Sequence, residues 1–400
     1  MNIFNSKFLY AIKSIKQDFL ASLELQSMME TFKNMVNFCI RIGLEENITT
    51  LRKFSSLHYK DLDRFEIQSY YKLTAISQAM GRLAQMKNSI RRGKKSKPPY
   101  INKLYLISCY RFKINGMLMS IPIGNRSYSN ILLNQHTVSK LSEGGIEPRS
   151  FVITPKLLSI CIKKKVNEIK YENVIGIDRN LRNITVGNEK LVTFYNTNKL
   201  LSIKENTSHV IASFKRNDFR VKRFYQRKFG NRRTRRVQQF LHKISKDVVN
   251  NAVETKSMII FEDLKGIRKL YRKGNGQGNK YRRRLNSWSF YELQRQIEYK
   301  AKWEGIPVIF VDPKCTSKLC PICGDRIQED RQNRRKLWCS NCKRSMDRDV
   351  VASMNIAYKG RSRFILPRGG TVEAMKRNME MPLILRVDVS KSNQKIRQNQ

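Results

Sequence analysis

Between residues 16 and 43 the apolar positions Phe19, Leu23, Phe32, Val36 and Ile40 recur mostly every three or four residues, the period of a helix buried on one face. The same period returns over residues 68–90 through Leu73, Ile76, Met80, Leu83 and Met86, on a face that also carries Tyr70, Tyr71, Lys72, Arg82 and Lys87. From 91 to 99 the periodicity stops, Lys and Arg crowd together and two prolines close the run, as in a linker. Beyond it the period drops to two. Residues 111–114 and 117–121 flank Asn115-Gly116, a pair favoured in type I′ hairpin turns. With strands expected around 100–108 and 158–162, residues 1–15 and 91–170 predict a small β sheet or barrel. Residues 16–90 form a helical lobe attached to it.

Three short apolar runs then follow one another, at 174–177, 184–186 and 191–195, as in a meander. After a basic stretch comes a long helix with Val237, Phe240, Leu241, Ile244, Val248, Val249, Ala252 and Val253 on one side. A strand at 258–261, a helix at 290–303 carrying Phe290, Leu293, Ile297 and Ala301, a strand at 307–311 and a helix at 349–358 complete the series. Three strands, helix, strand, helix, strand, cysteine-rich insertion and helix is the order of an RNase H-like α/β core, here over 171–315 and 346–360 with 316–345 inserted. The tail, 361–400, is polar and basic apart from an apolar patch at 379–387, and predicts a largely disordered segment.

Composition changes this picture in one respect. The 400 residues are 40% hydrophobic, enough for two or three cores, but the formal net charge is +47. Such a charge repels itself without a polyanionic partner, and nucleic acid is the first candidate. A membrane is the rival polyanion. No run of about 18 apolar residues and no signal pattern over residues 1–20 supports it, so the expected protein is cytoplasmic, associated with the nucleoid, and without a membrane partner. Cys39, Cys109, Cys161 and Cys315 are scattered without a disulfide framework, which suits a reducing compartment. Oligomeric state is left open.

The positive charge is concentrated. Residues 214–236 interleave Lys215, Arg216, Arg220, Arg223, Arg227, Lys228, Arg232, Arg233, Arg235 and Arg236 with Phe214, Phe219, Phe224, Tyr225 and Phe229. Cations neutralise phosphates and aromatic faces stack on unpaired bases, so this segment predicts contact with a strand. A second basic stretch, 267–284, places three glycines before Arg282, Arg283 and Arg284. It lacks the Walker spacing of a nucleotide-binding loop, and reads as a lid over a substrate channel or as a surface loop.

Two features carry chemistry. Cys320/Cys323 and Cys339/Cys342 form two C-x-x-C knuckles fifteen residues apart, the donor set and spacing of a structural zinc ribbon whose hairpin would hold Arg331, Arg334, Arg335 and Lys336. Three carboxylates also sit where elements end: Asp178 after Val-Ile-Gly-Ile, Glu262 after Met-Ile-Ile-Phe, and Asp349 at the head of the last helix. A carboxylate closing an apolar strand is costly unless solvated, paired or bound to a cation. Taken singly, Asp178 could be a turn residue, Glu262 a partner of Lys265 or Arg268, and Asp349 a helix cap. Together they fit divalent metal, with Mg²⁺, in two ions, the expected species. Asp263 and Asp347 are the neighbours most easily mistaken for ligands.

The runs 175–187 and 259–267, Asp312-Pro313 with Thr316-Ser317, Cys320-Pro-Ile-Cys323-Gly324, and Asp347-Arg-Asp349 closing on Asn355-Ile356 resemble TnpB, the compact RNA-guided DNA nucleases of insertion sequences, related to type V CRISPR effectors. The resemblance is specific over 173–358. It implies a RuvC-like triad of Asp178, Glu262 and Asp349, a wedge-like barrel with an inserted recognition lobe over 1–170, a guide RNA from the element's own end, and double-stranded target DNA read beside a short adjacent motif. The chain departs from the usual pattern at Asn180, where Gly is common, at Lys343, where Gly is common, and at Val351 and Ser353, where Asn and Ala are usual. None of these removes a candidate ligand. Two other classes share parts of the pattern: a transposase or recombinase that joins strands, and a non-cutting regulator that binds nucleic acid through its ribbon.

Overall fold

Ser22 decides where the first helix starts. In this computed structural model, which describes residues 9–124, 127–167, 169–214, 219–272, 274–330, 332–333, 335–365, 382–389 and 395–398, its hydroxyl accepts from the Leu25 amide at 3.3 Å. Helix α1 therefore spans Leu23–Glu45, and residues 16–18, assigned to it by periodicity, end strand β1, Leu9–Asp18. The chain divides into two compact units between Lys165 and Val166, slightly before the expected 170/171 boundary.

In the first unit α2 (Leu51–His58) and α3 (Ser69–Arg91) follow α1, and α1 and α3 bury Phe32, Val36, Ile76 and Met80. The linker is tied down at its far end, where the Asn37 side chain donates to the Ile101 carbonyl and accepts from its amide, both at 2.9 Å. Next come β2 (Leu106–Ser108), β3 (Lys113–Asn115), β4 (Leu118–Pro122), β5 (Tyr128–Leu132), α4 (Gln135–Leu141), β6 (Ile146–Thr154) and β7 (Leu157–Val166). Among the described residues these strands make two ladders, β1-β7-β6-β2 and β3-β4-β5, rather than one closed sheet. The hairpin register also differs by one from the Asn-Gly expectation. Asn115 pairs with Leu118, leaving Gly116 and Met117 in the loop. Gly116 has φ +56°, so positive φ falls on the first loop residue, as in a type II′ turn, which the strand pairing selects over I′.

The second unit begins with the expected meander, β8 (Asn173–Arg179), β9 (Asn183–Gly187) and β10 (Leu191–Asn196), followed by a helix not foreseen, α5 (Asn198–Ala212). Helix α6 runs over Phe219–Glu254, 36 residues or about 54 Å. Its first buried residue is Val237, so the basic stretch is not a loop but an exposed helical arm; Arg and Lys are good helix formers and need no apolar face to continue a helix begun elsewhere. Val253, expected on the buried side, is 37% exposed.

Strand β11 (Ser257–Glu262), α7 (Asn279–Asn286), α8 (Phe290–Trp303) and β12 (Val308–Val311) follow. The ribbon contributes β13 (Gln328–Glu329), β14 (Lys336–Cys339) and β15 (Arg344–Asp347), and α9 spans Arg348–Ile365. The central sheet has the order β12-β11-β8-β9-β10, parallel across β12, β11 and β8 and antiparallel through β9 and β10. This is the RNase H-like arrangement. On one face, α6 and α8 bury Leu241, Ile244, Val248, Leu293 and Ile297 against Ile177, Ile259 and Phe261.

The tail corrects an expectation. Strand β16, Leu383–Val387, pairs in parallel with β10, and β17, Lys395–Gln398, pairs with β16. The apolar patch of the tail covers an otherwise open sheet edge, and Ile384 packs with Val350, Met354 and Tyr358 of α9. Residues 366–381, 390–394 and 399–400 lie outside the described residues. No described helix is long and apolar enough to cross a membrane.

On the other face α9 lies directly on β8. A Cβ added at Gly176 would sit 2.1 Å from the Ser353 carbonyl oxygen and 2.6 Å from the Ala357 nitrogen, both backbone atoms. Gly176→Ala is therefore expected to destabilise the second unit by about 1–3 kcal/mol, because strand and helix must move apart. Chemical denaturation monitored by circular dichroism measures this.

Candidate active site and metal centre

Asp178, Glu262 and Asp349 are brought together. They project from the ends of β8 and β11 and the first turn of α9, with relative exposures of 8%, 9% and 7%, and line one open cleft of about 610 Å³. Asp178 lies within strand β8 and not in a turn. Lys265 pairs with Asp263 at 3.0 Å, not with Glu262. The Asp347 carboxylate accepts the Asp349 amide at 2.8 Å and so caps α9 itself, leaving the Asp349 carboxylate to face the cleft.

Neutral donors organise the carboxylates. The Asn180 amide donates to Asp178 at 2.7 Å and to Asp349 at 3.0 Å, bridging the two, and Asn183 donates to Asp349 at 2.7 Å. The Thr316 hydroxyl donates to Glu262 at 2.6 Å, while its carbonyl accepts from Asn355 of α9 at 2.8 Å. Behind the site, Arg179 donates to the Glu262 carbonyl at 2.6 Å and to the Gln294 side chain at 2.7 Å. Among the described residues, one cation of the cysteine-rich insertion reaches the acids: Arg335 donates to Asp349. Sequence reading placed Arg335 on the ribbon and noted Asn180 as a departure, but it did not foresee either contact, because each joins segments far apart in the chain.

Burial pushes the Asp178 carboxyl up to about 8, with Glu262 and Asp349 adding to the rise and the Asn180 hydrogen bond opposing it. Glu262 is also raised, chiefly by burial, against Thr316 and Arg179. A cluster of hard oxygen donors that resists carrying its full charge fits a divalent cation. The residues that would hold it are Asp178, Glu262 and Asp349.

In the ribbon the four thiols Cys320, Cys323, Cys339 and Cys342 lie with all Sγ atoms within 4.8 Å of one another. Cys320–Cys342 is 3.8 Å and Cys323–Cys339 is 3.4 Å. A zinc tetrahedron with Zn–S bonds of about 2.3 Å has edges of about 3.8 Å, so the set fits. Burial raises the Cys320 thiol to about 11, a cost that a bound cation reverses. Gly324 and Lys343, each following the second cysteine of its knuckle, adopt φ +82° and φ +50°. Lys343 is thus a side chain in a left-handed position where glycine is unstrained. Val351, another of the unusual residues, packs with Leu337, Met346 and the cysteines and fastens the ribbon to α9.

The basic residues separate. Arg220, Arg223, Arg227, Lys228, Arg232, Arg235 and Arg236 are exposed along the α6 arm. Their aromatic neighbours partly satisfy one another: Phe214 stacks on Tyr225 at 4.9 Å and Tyr225 on Phe229 at 5.7 Å, while Phe219 and Phe224 stay 68% and 62% exposed. Lys215 and Arg216 lie outside the described residues, as do Arg331 and Arg334. Arg233, Arg283 and Arg284 line a separate cavity against α5, with Arg284 paired to Glu205, and Arg282 bonds the Gln277 carbonyl at 3.1 Å. The acidic cleft is walled by Tyr271 and Tyr281, from the segment expected to be a lid or loop, part of which is helical, by Trp288 just beyond it, and by Arg182, Arg335 and Arg348.

A fold of this order, with a cysteine ribbon inserted before its last helix, belongs to the RuvC-containing α/β class. Residues 290–356 match the family model described as Cas12f1-like, TNB domain. A TnpB-like protein of Methanocaldococcus jannaschii is 35% identical over 263 residues, 62% of this chain and 92% of that protein. The CRISPR-associated endodeoxyribonuclease Cas12f1 of Sulfoacidibacillus thermotolerans is 34% identical over 117 residues, 29% of this chain and 25% of that one. In fold, the chain is similar to the protein of a Cas12f1–sgRNA–target DNA complex, with a TM-score of 0.51 at 13% identity over 84% of this chain and 83% of that one. The chain belongs to the TnpB family, related to type V effectors.

Two outcomes follow. Lys343→Gly should raise the stability of the zinc-loaded protein by about 1 kcal/mol, read from denaturant midpoints. Asp178 holds a proton on folding from its ordinary value near 3.8 up to about 8, so its contribution is present at low pH and lost as pH rises through 8. In magnesium-free buffer, Asp178→Asn should gain stability over the parent progressively from pH 4 to 8; a constant difference would contradict this.

Proposed function

We propose that this chain is an RNA-guided DNA endonuclease of an insertion sequence, hydrolysing phosphodiester bonds at Asp178, Glu262 and Asp349. The observation that carries the reading is the convergence of these three carboxylates, from β8, β11 and α9, in one open cleft. Bound there, two magnesium ions would supply a nucleophile at neutral pH and neutralise charge on the leaving oxygen. The residues of the chain do the positioning. Asn180 and Asn183 fix Asp178 and Asp349 without cancelling their charge, and Thr316 orients Glu262. Arg335, more than half exposed at the cleft, can meet a phosphate as it meets Asp349. Tyr281, exposed at the cleft, and the half-buried Trp288 offer faces for unpaired bases.

The zinc ribbon is structural in this reading, holding Arg335 at the site. The guide RNA and the double-stranded target come from family membership, and the net charge of +47 suits both. Base pairing would select sequence, while the α6 arm, with Arg220, Arg223, Arg227, Lys228, Arg232, Arg235 and Arg236, contacts backbones.

Purification from cells carrying the flanking element DNA should yield a discrete RNA, and this complex should cut matching DNA only with Mg²⁺. Asp178→Ala, Glu262→Ala and Asp349→Ala should each reduce cutting to background while RNA still co-purifies. Heterogeneous nucleic acid with no Mg²⁺-dependent cutting would favour a binding protein, and joined donor–target products would favour a recombinase.

A further inference from the structure

Arg335 does not stand at the end of the cleft; it divides it from a second space. Arg182, Asn183 and Arg335 line both the acidic cleft and an adjoining groove of about 530 Å³. Beyond Arg335 the groove is walled by Lys336 of β14, by Phe194 and Asn196 of β10, and by Arg386 of β16. Its cations outnumber its two acids, Asp347 and Asp388, and one Asp347 oxygen is already engaged by the Asp349 amide. Among the described residues Arg182, Lys336 and Arg386 are exposed and enter no ion pair.

Arg386 is there because the tail folds back. The parallel ladder between β10 and β16 sets Arg386 opposite Phe194, and its guanidinium carbon lies 5.5 Å from the centre of that ring. A cation resting on an aromatic face keeps its hydrogen-bond donors free and its position narrowed, which favours capture of an anion. A strand whose scissile phosphate lies at Asp178, Glu262 and Asp349 must leave the site on both sides. One side is the aromatic wall of Tyr271, Tyr281 and Trp288; the other opens past Arg335 into this groove.

We infer that the groove beyond Arg335 receives the continuation of a single DNA strand held at the acidic site, and that Arg386 of the C-terminal strand contacts its phosphate backbone. This rests on the nuclease reading for which strand is bound, but it is tested by binding and not by cutting. The tail thereby has a role in substrate engagement as well as in closing the sheet.

The experiment uses the full-length complex carrying Glu262→Gln, so that DNA stays intact. Affinity for a fluorescein-labelled single-stranded oligodeoxynucleotide is measured across a salt series, with and without Arg386→Ala. Removal of one phosphate contact should weaken binding about fivefold at moderate salt and reduce the slope of log affinity against log salt by about 0.7. Arg386→Lys should restore most of both, and thermal midpoints should match the parent. The same oligonucleotide bearing 4-thiothymidine should crosslink to the peptide containing residues 383–388. Unchanged affinity and slope in Arg386→Ala, or crosslinks that avoid this peptide, would overturn the inference. So would crosslinks formed there only by 4-thiouridine in the RNA. Absence of Mg²⁺-dependent cutting by the parent complex would instead remove the nuclease reading and leave the binding result standing.

Discussion

The contact between helix α9 and strand β8 is so close that only glycine fits at Gly176, and the rest of the candidate site hangs on that approach. Helix α9 carries Asp349 in its first turn, and β8 carries Asp178 at its end. From the same helix, Asn355 holds the carbonyls of Thr316 and Leu319, each at 2.8 Å, and Thr316 in turn holds Glu262. Val351 grips the ribbon, and Met354 and Tyr358 meet Ile384 of the tail strand. One helix thus sets the spacing of three carboxylates, a cysteine centre and the last strands of the sheet.

The electrostatic design follows from that crowding. Burial, with Glu262 and Asp349 close by, raises the proton affinity of Asp178, and a protein carrying +47 has no shortage of cations with which to neutralise such a site. It uses amides and a hydroxyl instead. Asn180, Asn183 and Thr316 fix the carboxylates without cancelling their charge, and Arg335 pairs with Asp349 from the ribbon. Two dense basic clusters stand elsewhere, on the exposed arm of α6 and around the cavity against α5.

Much of the core was readable from the amino acids because its signals are local. An apolar run closed by Asp178 or Glu262, or a pair of C-x-x-C knuckles, declares itself within a few residues, and the order of strands and helices restricts the topology. Composition likewise pointed to a polyanionic partner, through a net charge of +47. Other features depended on partners far away in the chain. Asn180 meets Asp349 across 169 positions, and the tail becomes a strand only because β10 offers it an open edge. The hairpin register was chosen by strand pairing, and the basic half of α6 stayed helical without an apolar stripe to announce it. Sequence determined which groups were present and which short elements they ended. Tertiary structure decided which of them meet, since the packing of α9 against the sheet is a long-range contact that no local period records.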